Sequence, residues 1–257
     1  MTGRTKDDQK TVTTAGSSVA SRTEGGSLPA ERSSSSEIAA FLKAAKSLST
    51  SAGRGRLIFA LDATMSRQPT WDMAVSLQAD MFRAAGEAAG FSIQLVYFRG
   101  LGECRASRWT GETAELARLM QKIDCRGGKT QIAKVLRHAA EEAARAPVAA
   151  LVYIGDAMEE NVDELCEIAG ILKLRKVACF MFHEGSDPVA AGAFREIARI
   201  SGGAFARFDA GAAGELAGLL RAVAAYASGG RQALETLAEP AARLLLTQLP
   251  KNPGRNS

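Results

Sequence analysis

Five short apolar runs, separated by stretches of helical periodicity, constrain the fold of this chain more than any other feature. They are Leu57–Leu61, Phe91–Phe98, Val148–Ile154, Val177–Phe182 and Ala204–Phe208. Each has strand length and is nearly free of polar residues. A strand with one face in water alternates apolar and polar residues, whereas one covered on both faces reads as a continuous apolar run. Helical patterns fall at 70–89, 114–123, 131–145, 161–175, 188–201 and 212–227. Strands alternating with helices predict a doubly wound, mostly parallel α/β sheet with helices on both faces. Gly100-Leu-Gly102 reads as a tight turn, and Glu103–Trp109 as the antiparallel edge strand of a hairpin.

The flanks read differently. Residues 1–36 are Ser, Thr, Gly and charge, too polar to offset the entropy of ordering, so a disordered tail is expected. Residues 37–54 read as a docking helix, with Ile38, Phe41, Leu42 and Ala45 at helical spacing, and a linker. Residues 55–227 form the expected domain and 228–249 a helical extension, which Pro240 should kink or split. Leu234, Leu237, Leu244 and Leu245 give the extension an apolar stripe that can dock on the domain or bind another protein. Residues 250–257 form a tail.

Composition excludes several functions. The net charge is +4, but residues 37–249 hold 25 Lys/Arg against 24 Asp/Glu. No basic run interleaves with aromatics, so no nucleic-acid partner is expected. No apolar run approaches the ~20 residues of a membrane span, so no membrane partner is expected. There is no apolar N-terminal segment of the signal-peptide kind. Four widely spaced cysteines without a CxxC pair suit a reducing cytoplasm and no zinc ribbon.

A doubly wound sheet gathers its ligand site in the loops at the carboxyl ends of its strands. The first run is followed by Asp62-Ala-Thr64-Met-Ser66, and the run 148–154 by Gly155-Asp156. Between them Gly127-Gly128-Lys-Thr130 opens a helix. Two carboxylates and three hydroxyls are hard oxygen donors, suited to Mg²⁺ or Mn²⁺ and poorly suited to zinc or copper. In an extended strand end, Asp62, Thr64 and Ser66 would point the same way. Glycines ahead of Thr130 allow a close backbone approach.

With these residues in place, the chain resembles the von Willebrand factor A-type domains, also called integrin I-like domains, over about residues 55–227. Their metal-ion-dependent adhesion site is written DxSxS, then a distant Thr, then a distant Asp. Asp62-x-Thr64-x-Ser66, Thr130 and Asp156 match that pattern, with Thr64 in place of the usual Ser. The resemblance implies that Thr64 and Ser66 ligate Mg²⁺ through their hydroxyls. Thr130 would join directly or through water, and Asp62 and Asp156 would hold the ion through bridging waters. The last coordination position would go to a carboxylate of a protein partner. The stretch Asp62–Asp72 is similar to a bacterial cytoplasmic subgroup, whose members work beside ATPases or chaperones.

The resemblance implies a binding module rather than an enzyme. One rival is a Mg²⁺-dependent phosphohydrolase. It needs Asp-x-Asp after the first strand, and position 64 is a Thr that cannot act as a carboxylic acid. The other rival is a structural protein with a vestigial site. Several further residues invite a role. Trp71 and Trp109 either flank the site or pack. Arg67 pairs with a partner's acid or with Asp72. His138 reads as a surface residue. His183-Glu184 ends a strand on the ligand-bearing edge, and Cys104 and Cys125 read as inert thiols.

Overall fold

The computed structural model describes residues 55–68, 92–209 and 213–251. The tail 1–36, the docking helix and linker 37–54, the helix expected at 70–89 with Trp71 and Asp72, and most of the C-terminal tail lie outside the described residues. Strand β1 (Arg56–Asp62) is followed by β2 (Ser92–Arg99), β3 (Glu103–Ala106), α1 (Thr113–Met120) and α2 (Ile132–Arg145). Then come β4 (Ala150–Gly155), α3 (Val162–Leu174), β5 (Ala178–Glu184) and α4 (Pro188–Ser201). Strand β6 (Ala204–Phe208) and helices α5 (Ala213–Glu235) and α6 (Pro240–Gln248) complete the order.

The strands form one sheet in the order β3-β2-β1-β4-β5-β6. All neighbours are parallel except the β2–β3 edge pair. Leu57 to Leu61 are all fully buried, because the sheet is covered on both sides. Leu57, Phe59 and Leu61 share one cluster with Leu216, Leu220 and Val223 of α5. Ile58 and Ala60 share the other with Ile132 and Leu136 of α2. Chain order places β1 in the middle. The chain first builds outward to β3, then crosses back to β4 on the other flank of β1. The strand order therefore reverses between β1 and β4, where a crevice opens at the strand carboxyl ends.

The edge strand is shorter than the 103–109 span that the sequence suggests. Ladder pairing stops at Ala106, and Thr110 instead exchanges two backbone hydrogen bonds with Ile93, at 2.8 and 3.0 Å. The extension is packed on the sheet: Leu234, Leu245 and Leu249 are buried in the same cluster as α5. Leu237 is partly buried and Leu244 is exposed, because Pro240 restarts the helix and breaks the register of the leucine stripe. Gly229 and Gly230 have non-helical backbone and break Ala213–Glu235 into two helical stretches, as the sequence suggests, and Gly230 (φ 65°) takes a conformation that favours glycine. The side-chain amide of Gln248 accepts from Phe205 N–H (2.9 Å) and donates to Phe205 C=O (2.8 Å). It thus satisfies backbone groups of edge strand β6 that could otherwise pair with another chain.

Candidate metal centre

Asp62 is the last residue of β1 and is fully buried. Its Oδ1 accepts the backbone N–H of Thr64 at 2.8 Å. Thr64 is extended, and Met65–Arg67 then form a single 3-10 turn. That turn folds Ser66 back, so its hydroxyl lies 3.0 Å from the Thr64 hydroxyl. The convergence expected from an extended strand end is therefore reached differently. Alternate side chains of a strand stand well over 6 Å apart, and the turn supplies the closure. Backbone bonds from Ala63 N–H to Phe98 C=O and from Arg126 N–H to Ala63 C=O, both 3.0 Å, fasten the segment on each side.

Thr130 lies just before α2, in a loop tied to the β2–β3 turn. A Cβ at Gly128 would stand 2.0 Å from the Gly100 carbonyl oxygen, so only glycine fits this backbone approach. Gly127 has open space around it. Gln131 donates to the Arg99, Gly100 and Glu103 carbonyls at 3.3 to 3.4 Å. Asp156 follows β4 immediately, across the switch point from Asp62. After burial, which is the main cause, its charge also helps to raise the Asp62 pKa, so Asp62 feels the second carboxylate through space.

The loop after β4 reaches back to the Thr130 loop. Thr130 N–H donates to the Glu159 carboxylate (3.2 Å), and Glu159 N–H donates to the Thr130 hydroxyl (3.1 Å). The Glu160 carboxylate accepts the Ile132 and Ala133 N–H groups and so caps α2. The sequence pattern did not single out Glu159 or Glu160. Their only signal is a Glu pair shortly after Gly155-Asp156, because the contacts span nearly thirty residues. His183 is fully buried; its Nε2 donates to the Asp156 carbonyl (3.2 Å) and its ring meets Phe194 edge-on. It therefore holds the backbone of Asp156 rather than offering a ligand. Burial pushes its pKa down, which keeps the ring neutral.

The Arg67 guanidinium meets Glu184 of β5 at 3.0 Å, with both side chains buried, while Asp72 lies outside the described residues. Trp109 lies at the opposite end of β1. It donates to Glu142 (2.7 Å), and the Arg56 guanidinium stacks on its ring at 3.8 Å. Seven residues of strand, roughly 20 Å, separate it from the Asp62 end. His138 is half-buried rather than on the surface, bonded to Gln94 at 2.8 Å. Cys125 is buried beside the centre, and desolvation pushes its thiol to about 11.

The donor set fits a hard divalent cation. Asp62 Oδ2 and Asp156 Oδ1 are buried with no hydrogen-bond partner. These two oxygens are orphans that a cation or its water shell would satisfy, with the paired Thr64 and Ser66 hydroxyls on the Asp62 loop and the Thr130 hydroxyl bonded to the loop that follows Asp156. Desolvation raises the Asp62 pKa to about 6; the Thr64 hydrogen bonds oppose it, Asp156 adds to it and Arg67 opposes it. Among the described residues no three His, Cys, Asp or Glu side chains form a cluster, so the set depends on its hydroxyls.

Comparison with solved structures gives the fold. The von Willebrand factor type A protein from Catenulispora acidiphila superposes with a TM-score of 0.56 at 17% identity, covering 69% of this chain and 43% of that one. The chain thus spans less than half the length of that protein. The vWF domain of the type V pili tip protein Mfa5 from Porphyromonas gingivalis gives 0.55 at 10% identity, covering 66% and 93%. The pilus adhesin SpaC from Lactobacillus rhamnosus GG gives 0.55 at 9%, covering 68% and 30%. The chain has a von Willebrand factor type A fold. No family model matches the sequence. No curated protein matches it either.

Proposed function

We propose that this von Willebrand type A fold is a metal-ion-dependent protein-binding module. The observation that carries the reading is the pair of orphaned oxygens, Asp62 Oδ2 and Asp156 Oδ1. They belong to the loops that flank the switch point, beside the joined hydroxyls of Thr64 and Ser66. Mg²⁺, or Mn²⁺, held there would supply an open coordination position for a carboxylate of a protein partner. Asp62 and Asp156 would balance its charge, and Thr64, Ser66 and Thr130 would complete the oxygen set without adding to it. Ser66 is exposed and Asp156 half-buried, so the centre opens to solvent on one side.

Among the described residues, neither the histidine nor the thiol at this place serves as a base for hydrolysis. His183 is held by the Asp156 carbonyl, and the Cys125 thiol stays protonated near neutral pH. A binding role is also in keeping with the fold's occurrence in a pilus adhesin. All four cysteines are free thiols, which fits work in a bacterial cytoplasm, on a partner such as an ATPase or chaperone component. Among the described residues no helix is long and apolar enough to cross a membrane.

Affinity capture in Mg²⁺ and in EDTA, with mass spectrometry of the difference, tests the reading. The partner should be lost in EDTA and lost equally with Thr130→Ala, and the two effects should not add. A complex that survives both is formed elsewhere on the surface.

A further inference from the structure

At the opposite end of the sheet, a cleft of about 450 Å³ opens between the ends of α3 and α4 and the bend of α5. Lys173, Lys176, Tyr226 and Arg231 line it together with Gly229 and Gly230, and among the described residues no carboxylate does. We infer that this cleft is a binding site for a phosphate-bearing small molecule. Its volume is that of a small-ligand site.

Three observations point to an anion. First, the Lys173 ammonium lies over Gly202, where a Cβ would come within 2.3 Å of Nζ. A lysine in the last turn of α3 also complements the helix dipole, and that alone accounts for Lys173. It does not account for Lys176, which follows the helix. Lys176 has φ 61° and is the one non-glycine residue with positive φ among those described. Its N–H closes onto the Lys173 carbonyl (3.0 Å), and Val177 N–H onto Leu172 (2.9 Å). That is a helix end in the left-handed conformation, where glycine is the relaxed choice. A lysine there puts a cation at the cleft at the expense of backbone strain, as ligand clamps do.

Second, Arg231 is fixed from behind. Its Nη1 donates to the Leu246 and Leu249 carbonyls (3.2 and 3.0 Å), and its Nε to Glu235 (2.8 Å). Its ion pair with Glu235 offsets part of its charge, and these bonds hold its position and leave Nη2 as the donor for an oxyanion. Third, the bend at Gly229 and Gly230 puts backbone without side chains on the cleft wall, so a ligand can approach it closely. The half-buried Tyr226 ring, edge-on to Phe180 at 5.0 Å, gives an apolar wall beside the cations.

The test uses the full chain in EDTA, so that it is independent of the metal centre. Inorganic pyrophosphate is titrated and followed by amide NMR at Gly202, Gly229 and Gly230. Saturable shifts confined to these amides and their neighbours are expected. Lys176→Gly should leave the melting temperature unchanged or higher, because glycine relaxes the helix end, yet raise the apparent Kd about tenfold, the equivalent of one charge-assisted hydrogen bond. Phenyl phosphate should shift the same amides, with its ring against Tyr226. Three results would overturn the site: shifts that sodium chloride reproduces at equal ionic strength, an unchanged Kd in Lys176→Gly, or phenyl phosphate acting on other amides.

Discussion

Asp62 carries the largest consequence at the scale of single residues. Burial holds its carboxyl near 6, against an ordinary value of 3.8. The folded protein therefore keeps a proton that the unfolded chain has already released. Stability of the metal-free protein should fall as pH rises from about 4 to about 6, then level off. The charged form costs on the order of 3 kcal/mol. Asp62→Asn keeps an oxygen for the Thr64 N–H and carries no charge. It should raise the melting temperature of the metal-free protein at pH 7–8 and flatten that pH profile, as calorimetry between pH 4 and 8 would show. His183→Ala should cost about 2–4 kcal/mol in denaturant melts, because it removes a buried ring and leaves the Asp156 carbonyl without its donor. The side chains that carry the candidate chemistry were legible in the sequence, because Asp62, Thr64, Ser66, Thr130 and Asp156 follow strand ends or open a helix. The residues that hold them were not. Arg67 meets Glu184, and Glu159 meets Thr130, across separations that local pattern does not encode.

Elements tell a complementary story. The strands were legible because burial on both faces erases alternation, and each apolar run became a strand within about two residues of its expected ends. The hairpin was overextended because Ser107 keeps only half of a ladder pair: its N–H donates to the Leu95 carbonyl (2.8 Å), but its hydroxyl and not its carbonyl takes the Leu95 N–H (3.0 Å). The glycines before Thr130 were read as permitting close approach, and the structure assigns that role to Gly128 alone. Gly128→Ala should cost about 2 kcal/mol or more, since its Cβ meets backbone that cannot swing aside. It should also weaken any Mg²⁺ response by displacing Thr130. Gly127→Ala, with open space around it, should be nearly neutral. Thermal melts of the two variants side by side check both statements. Gln248→Ala leaves the edge of β6 unpaired, and dynamic light scattering should show greater self-association than in the parent chain.

For the molecule as a whole, strand order decides where function is placed. Building outward from β1 and returning to β4 brings Asp62 and Asp156 to one crevice, although they are far apart in sequence. The same sheet leaves its other end to the cationic cleft, one strand length away. If the proposed reading holds, a cation would relieve the cost of leaving buried oxygens of Asp62 and Asp156 without partners, and binding and stability would be linked. The direct measurement is the melting temperature of the full chain titrated with Mg²⁺, beside the Asp62→Ala variant. The account predicts a rise for the parent that follows mass action, about 2.7 kcal/mol at a hundredfold excess over Kd. Mn²⁺ should act alike, Zn²⁺ should show no special preference, and Asp62→Ala should show no rise. An Asp62→Ala protein that still responds fully to Mg²⁺ would contradict it.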